Sequence, residues 1–208
     1  MTTITNYATL QSAVADTLNR EDLTTQIPRF IQLFEAEVDR RLRVRAMMTR
    51  ADARSDEGYV PVPSDFLEVY TLTVESDTPQ PPLAYVPLAE RARVKALDPA
   101  SADTRYYTII GDSFELIADP PDDLDLELIY YARVPALSGS NTTNWLLTKA
   151  PDFYLYGSLL HSATFLKDDE RVPLWLGAVD RVFDQLHMES ERDMRPRGSL
   201  NAPVRSFG

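Results

Sequence analysis

Two histidines and one cluster of carboxylates are the residues of this chain whose types could carry chemistry. His161 and His187 each fall on a stretch with helical periodicity. His161 sits among apolar neighbours, the setting of a satisfied packing histidine rather than of a ligand. His187 lies towards a helix end, where interaction with the helix dipole accounts for it. Asp119, Asp122, Asp123, Asp125 and Glu127 gather around Pro120-Pro121, with Glu115 just before them. Paired carboxylates hydrolyse glycosidic bonds when burial raises the pKa of one and their separation is fixed. A turn reading DPPDDLD is small and polar, so a solvated loop is expected there, not an acid pair or a Ca²⁺ cage. Asp168-Asp169-Glu170 reads as a connection placing acids at the next helix start. HExxH, GxSxG, P-loop and GxGxxG patterns are absent, and without Cys there is neither a disulfide framework nor a thiolate metal site. The chain is therefore expected to have no catalytic residue, no metal and no cofactor. The competing reading is a carboxylate-dependent glycan (cell-wall) hydrolase using Glu115 and Asp119.

The elements that would position these groups change character twice along the chain. Asn6 is a candidate N-cap for a helix to about Asn19, with Tyr7, Leu10, Val14 and Leu18 on one face. A second helix is expected from Thr24 or Thr25, with Pro28 in its first turn and a stripe of Ile27, Phe30, Ile31, Phe34, Val38 and Leu42. Glu37 with Arg41, and Asp39 with Arg43, stand four residues apart as acid-before-base pairs. From Thr49 to about Tyr131, prolines punctuate short runs rich in Val, Tyr, Thr and Leu, the pattern of strands and turns. FLEVYTLTV (Phe66 to Val74) is one strand. RYYTII and SFELI form a hairpin about Gly111-Asp112, and LDLELIYYA (Leu124 to Ala132) is a half-buried third strand. A short helix over Leu88 to Leu97 interrupts them. Helices resume at Pro151, a good first helical position, with Tyr154, Leu155, Leu159, Ala163 and Leu166 facing inward. A last helix covers about Val172 to Glu191 with Trp175, Val179, Val182, Phe183 and Leu186 as its stripe.

The expected fold is thus α+β. N- and C-terminal helices (1–48 and 134–193) form a bundle, a small antiparallel β-region (49–133) is inserted between them, and an extended C-terminal arm (194–208) follows. The tail after Met194, RPRGSLNAPVRSFG, has no periodicity and cannot form a core alone. Its Leu200, Val204 and Phe207 could anchor on a partner, with Arg195, Arg197 and Arg205 as the polar grip.

A formal net charge of −11 over 208 residues argues against a surface that grips nucleic acid, because neutralising phosphates takes clustered Lys and Arg. Charge is also uneven. Residues 40–54 carry six arginines against Asp52 alone, and residues 112–127 carry seven acids and no base. That distribution suits a molecule whose basic and acidic regions face different partners in a ring or stack. No run approaches the length of a membrane span, and the opening MTTITNYATLQSAV lacks the basic end and apolar core of a signal peptide.

The stretch Tyr130 to Leu160 is the most diagnostic. Its Tyr130, Tyr131, Ala132, Arg133, Pro135, Ala136 and Leu137, then Asn141, Asn144, Trp145, Leu146 and Leu147, then Pro151, Asp152, Tyr154, Leu155 and Tyr156, followed by Asp168, Asp169, Glu170 and Arg171, resemble the head-to-tail adaptor (connector) proteins of tailed bacteriophages. The resemblance covers about residues 5 to 190. It implies a non-enzymatic virion protein at the head-to-tail interface, made in the host bacterial cytoplasm. Such proteins form a homo-oligomeric ring, typically dodecameric, between the portal protein and a tail or nozzle protein. DNA passes through the channel without specific binding, and no membrane is involved. On this reading the arm residues Arg195, Arg197, Leu200, Val204, Arg205 and Phe207 reach the portal. Trp145, Leu146, Leu147 and Tyr154 form a seam or subunit contact where the β-region returns to the helices.

Overall fold

The computed structural model describes residues 3–97, 106–117, 123–167 and 170–195. The chain divides into two compact units, one made of Met1–Ala46 with Val134–Gly208 and the other of Met47–Arg133. Six α-helices and two sheets make up the described residues.

The first unit is helical. Its α1 (Tyr7–Leu18) starts where Asn6 dictates: Thr9 N–H donates to Asn6 Oδ1 at 2.9 Å, and Asn6 N–H donates back to Thr9 Oγ1 at 3.0 Å. Two orphan donors are satisfied reciprocally, as in a capping box. Asn19 ends the helix in the left-handed region, at φ 52°. Helix α2 (Ile27–Arg41) starts after the Thr24–Thr25 position expected. Leu23 O first accepts the N–H groups of Gln26 and Ile27, both at 2.9 Å, and so closes a turn ahead of the helix. Ile27, Phe30, Ile31, Phe34, Val38 and Leu42 are all buried, so the stripe read from spacing is the face that packs.

Helix α4 (Trp145–Lys149) is short and separate from α5 (Pro151–Leu166). Pro151 disfavours helical backbone at the residue before it, and Ala150 accordingly sits at φ −138°, ψ 71°. Helix α5 packs against α1, α2, α4 and α6 (Val172–Met194). That position corrects the inward face expected for it. Phe153, Tyr154, Gly157, Leu159 and Ala163 are buried, whereas Leu155 and Leu166 are only half-buried. A helix with neighbours on several sides need not be amphipathic, and period alone then misplaces its face. Its buried Ser158 and Ser162 hydroxyls donate back to Tyr154 O and Leu159 O, each at 2.7 Å. Helix α6 extends beyond Glu191 to Met194, with Trp175, Val179, Val182, Phe183 and Leu186 buried as expected.

Aromatic rings organise this core. Phe34 meets Phe153 edge-on at 4.7 Å and Tyr154 at 5.7 Å, and Phe153 meets Phe183 at 4.7 Å. Such tilted pairs are favoured by the ring quadrupole.

The second unit is built from strands. Sheet A has the order β1 (Met48–Arg54), β7 (Asp125–Ala132), β3 (Phe66–Val74), all antiparallel. Sheet B has the order β2 (Tyr59–Pro61), β6 (Ser113–Ile117), β5 (Tyr106–Ile110), β4 (Ala84–Tyr85). The β5–β6 hairpin turns at Gly111-Asp112, with Gly111 at φ 57°. The strand after the hairpin, expected as half-buried, lies at the centre of the other sheet. One expectation is corrected: the region is not wholly antiparallel, since β4 pairs with β5 in parallel. Burial alternates along β7, and Leu126, Leu128 and Tyr130 join Leu72, Phe114 and Leu116 in one core fed by both sheets. Helix α3 (Arg91–Leu97), preceded by a 3₁₀ turn at Leu88–Glu90, lies between β4 and β5 in the chain. Arg105 and residues 196–208, which include the arm residues Arg197, Leu200, Val204, Arg205 and Phe207, lie outside the described residues.

Gly157 is where packing leaves no room. A Cβ there would lie 2.1 Å from Phe34 Cδ2, whereas one at Gly177 of α6 meets nothing within 4 Å. Gly157→Ala is therefore expected to lower unfolding free energy by about 1–3 kcal/mol through forced ring displacement. Gly177→Ala should raise it by up to about 1 kcal/mol. Urea denaturation of the two variants measures both, and equal effects would contradict the packing described.

Candidate functional site

The diagnostic stretch contains an eleven-residue loop, residues 134–144, with no helix or strand, lying in the helical unit. Backbone polar groups in such a loop need partners once they are sheltered from water, and side chains supply them. Glu35 of α2 accepts the Leu137 N–H on Oε1 at 2.8 Å and the Tyr154 hydroxyl at 3.2 Å. Asn144 Nδ2 donates to Pro135 O at 2.8 Å and to Tyr154 Oη at 2.7 Å, and its Oδ1 accepts Leu147 N–H at 2.7 Å to cap α4. Asn141 Nδ2 donates to Ala136 O at 2.7 Å, and Tyr7 N–H donates to Thr142 O at 2.7 Å. Burial raises the Glu35 carboxyl above its usual range. The Tyr154 hydroxyl is pushed up as well, first by burial and then by the Glu35 carboxylate beside it. Together they make a buried latch that holds the loop, α2, α4 and α5 in one arrangement.

Of the residues expected at a seam or subunit contact, Leu146, Leu147 and Tyr154 are buried within the helical unit. Trp145 is half-buried and borders a notch of about 70 Å³ shared with Val44, Ala46 and Leu186. Glu35 was not legible as part of this site, because an acid on an otherwise amphipathic helix carries no local sign of its distant partners.

The other candidate groups are held in ordinary structural roles. His161 Nε2 lies 3.1 Å from Glu37 Oε2, so it is a satisfied packing histidine. His187 is half-buried on α6. Glu37 also accepts from Arg41, whose other arm reaches Asp180 at 2.6 Å and whose guanidinium lies 4.0 Å over the Phe183 ring. The His161 hydrogen bond, with help from Arg41, holds the Glu37 carboxyl below its ordinary value. Arg45 pairs with Asp193 at 3.0 Å, and Arg195 reaches Glu191 at 3.4 Å. In the β unit, Arg50 of β1 reaches diagonally to Glu127 of β7 at 2.7 Å, with Asp52 and Glu75 close by, and Arg54 reaches Asp123, just before β7, at 3.2 Å. The basic and acidic runs that look segregated along the chain thus partly neutralise each other across β1 and β7. Asp52, Glu75 and Glu127 are close enough together to hold a cation, and the Arg50 guanidinium already stands among them. Glu115 is 7% exposed and bonded to Arg91. Asp119, Asp122, Asp168 and Asp169 lie outside the described residues. At the end of β7, Asp65 accepts the Tyr130 hydroxyl at 2.9 Å and, on its carbonyl, the Arg133 N–H at 2.7 Å. Burial together with Asp65 pushes the Tyr130 hydroxyl up to about 12.

In this fold of two units, the polar groups described above latch a loop and pair strands. The family model described as SU10 adaptor protein matches residues 5–206. The chain therefore belongs to the SU10 adaptor protein family, a family of phage head–tail adaptors, and is a structural component of a phage particle. The match runs past residue 190, where the resemblance of the sequence ends, and takes in most of the tail. No curated protein matches the chain. No helix among the described residues is long and apolar enough to cross a membrane.

The latch has a pH signature of definite sign. A carboxyl whose folded pKa is raised contributes stability that is present at low pH and lost as pH rises through the folded value. Glu35→Gln removes that titration and keeps a carbonyl acceptor. The melting temperature of the wild type minus that of the variant should therefore increase as pH falls from neutral towards 4.5, the ordinary value of a glutamate. A pH-independent difference would contradict the sheltering of the half-buried Glu35 carboxyl. Asn144→Ala, which strips a cap and leaves Pro135 O unpaired, is expected to cost about 1–3 kcal/mol in denaturant unfolding.

Proposed function

We propose that this chain assembles as a ring adaptor between the portal vertex and the tail, and that the ring lines the channel through which DNA passes. The family match over residues 5–206 carries this reading. Physical features favour self-association as well. Leu174 is 71% exposed and Phe165 51% exposed, at adjoining ends of α6 and α5, with Leu176 close by on α6. Large apolar side chains left in water are candidates for cover by another chain. Trp145 beside its notch is the seam residue with surface left to offer a neighbour.

A net charge of −11 suits a channel wall, because like charges keep passing DNA from sticking. Internal pairing of Arg41, Arg45, Arg50 and Arg54 points the same way, leaving these arginines less free to trap phosphates. The arm residues Arg195, Arg197, Leu200, Val204, Arg205 and Phe207 reach the portal, and the β unit faces the tail or nozzle protein. The assembly is a homo-oligomer, with twelve copies as the number the family resemblance suggests, and it performs no catalysis.

Mixing the purified chain with a purified portal ring and sizing the product by analytical ultracentrifugation tests this function. A ring-sized complex is expected. Leu174→Asp should weaken assembly by about tenfold or more while leaving the monomer's melting temperature within about 0.5 kcal/mol equivalent, since an exposed position contributes little to folding. A wild-type chain that stays monomeric beside the portal ring would overturn the proposal.

A further inference from the structure

Sheet B of the β unit has a face that its core does not use. Along β6, Phe114 and Leu116 point into the core, so Glu115 between them points to the opposite side. Register places Tyr59 of β2 and Thr108 of β5 on either side of it. A carboxylate on the outer face of a short four-stranded sheet should be wet. Glu115 is instead 7% exposed and Thr108 fully buried.

Helix α3 touches β6 here, and its Arg91 donates to Glu115 Oε1. Yet that helix holds the sheet poorly. None of the described side chains from Pro87 to Ala96 is buried, and Leu88 is 55% exposed. The ion pair that ties it down is made with one prong. Arg91 Nε, Glu115 Oε2 and Thr108 Oγ1 are all buried without a hydrogen-bond partner. Buried polar atoms left unpaired favour any arrangement that satisfies them. A helix whose described side chains, Arg91 to Ala96, all keep some exposure gains little packing from them to resist that pull.

We propose that the 3₁₀ turn and α3 are a displaceable cover, and that the face beneath, centred on Glu115, docks an arginine-bearing segment of a partner protein. The chemistry selects arginine. A planar guanidinium meets both carboxylate oxygens at once and can stack on an aromatic face, here that of Tyr59, which is 45% exposed. An ammonium, a compact point charge, lacks the planar fork and the flat face that make both contacts together. The internal Arg91 occupies the position with one prong and leaves Oε2 for a better-aligned fork. This inference stands on the geometry of the β unit and does not require the ring.

Hydrogen exchange and peptide binding test it together. In the full-length protein, amides of residues 88–97 should exchange much faster than those of β5 and β6, and Arg91→Ala should speed them further without altering the helical unit. Acetylated tri-arginine amide should bind Arg91→Ala more tightly than tri-lysine amide does. Adding Glu115→Gln to that variant should weaken tri-arginine binding by about tenfold or more, the scale of a lost charged hydrogen bond. Should Arg91→Ala fail to fold by circular dichroism, Arg91→Gln gives the same comparison. Protection of residues 88–97 equal to that of β5 and β6, or tri-arginine binding indifferent to Glu115→Gln, would overturn the proposal.

Discussion

A loop without regular structure has to be held firm inside a helical unit, and that requirement governs much of this molecule. Residues 134–144 re-enter the helices after the β unit, and their backbone amides have no ladder or helix to join. One carboxylate, one phenol and one carboxamide meet the need. Glu35, Tyr154 and Asn144 bond to the loop and to each other, and Asn144 at the same time caps α4. Burying these groups is unfavourable unless all are paired, so the latch is stable as a whole or not at all. The packing around it follows. Tyr154 is fixed at its hydroxyl, which sets its ring against Phe34, and Phe34 in turn excludes any side chain at position 157.

The same logic sets the structural part played by the most diagnostic residues of the chain. Pro135, Leu137, Asn141, Asn144 and Tyr154 form a hydrogen-bonding framework within the helical unit. What is left for function is surface: exposed apolar side chains at the α5–α6 end, a half-buried Trp145, and a tail rich in arginine. An adaptor whose task is to fit between other proteins needs surfaces of that kind rather than an active centre.

Local physics made much of the secondary structure readable and left its long-range consequences hidden. Asn6, Pro28, Pro151 and Gly111 act on their immediate backbone, and each marks the element it was expected to mark. The stripes of α2 and α6 also emerged from spacing, because each packs along one side. Helix α5 was misread where it is surrounded, since a period has no meaning for a helix with neighbours all round. Strand β7 was identified, but its place at the centre of a second sheet was not legible, because pairing across sheets depends on the whole core and not on adjacency. Glu35, Asp65 and the Arg91–Glu115 pair were missed altogether. Their partners lie 102, 65 and 24 residues away, and nothing in the surrounding sequence announces them. Charge shows the same limit, as two runs that look segregated along the chain meet across the β1–β7 register.

A density map of the head-to-tail junction in an assembled particle carrying this chain tests the account most directly. The account predicts a closed ring of copies between portal and tail, with the α5–α6 end against a neighbouring copy, the tail after Arg195 against the portal, and the channel free of DNA-bound arginine clusters. A junction lacking the chain, or holding it as an isolated copy away from the channel, would contradict it.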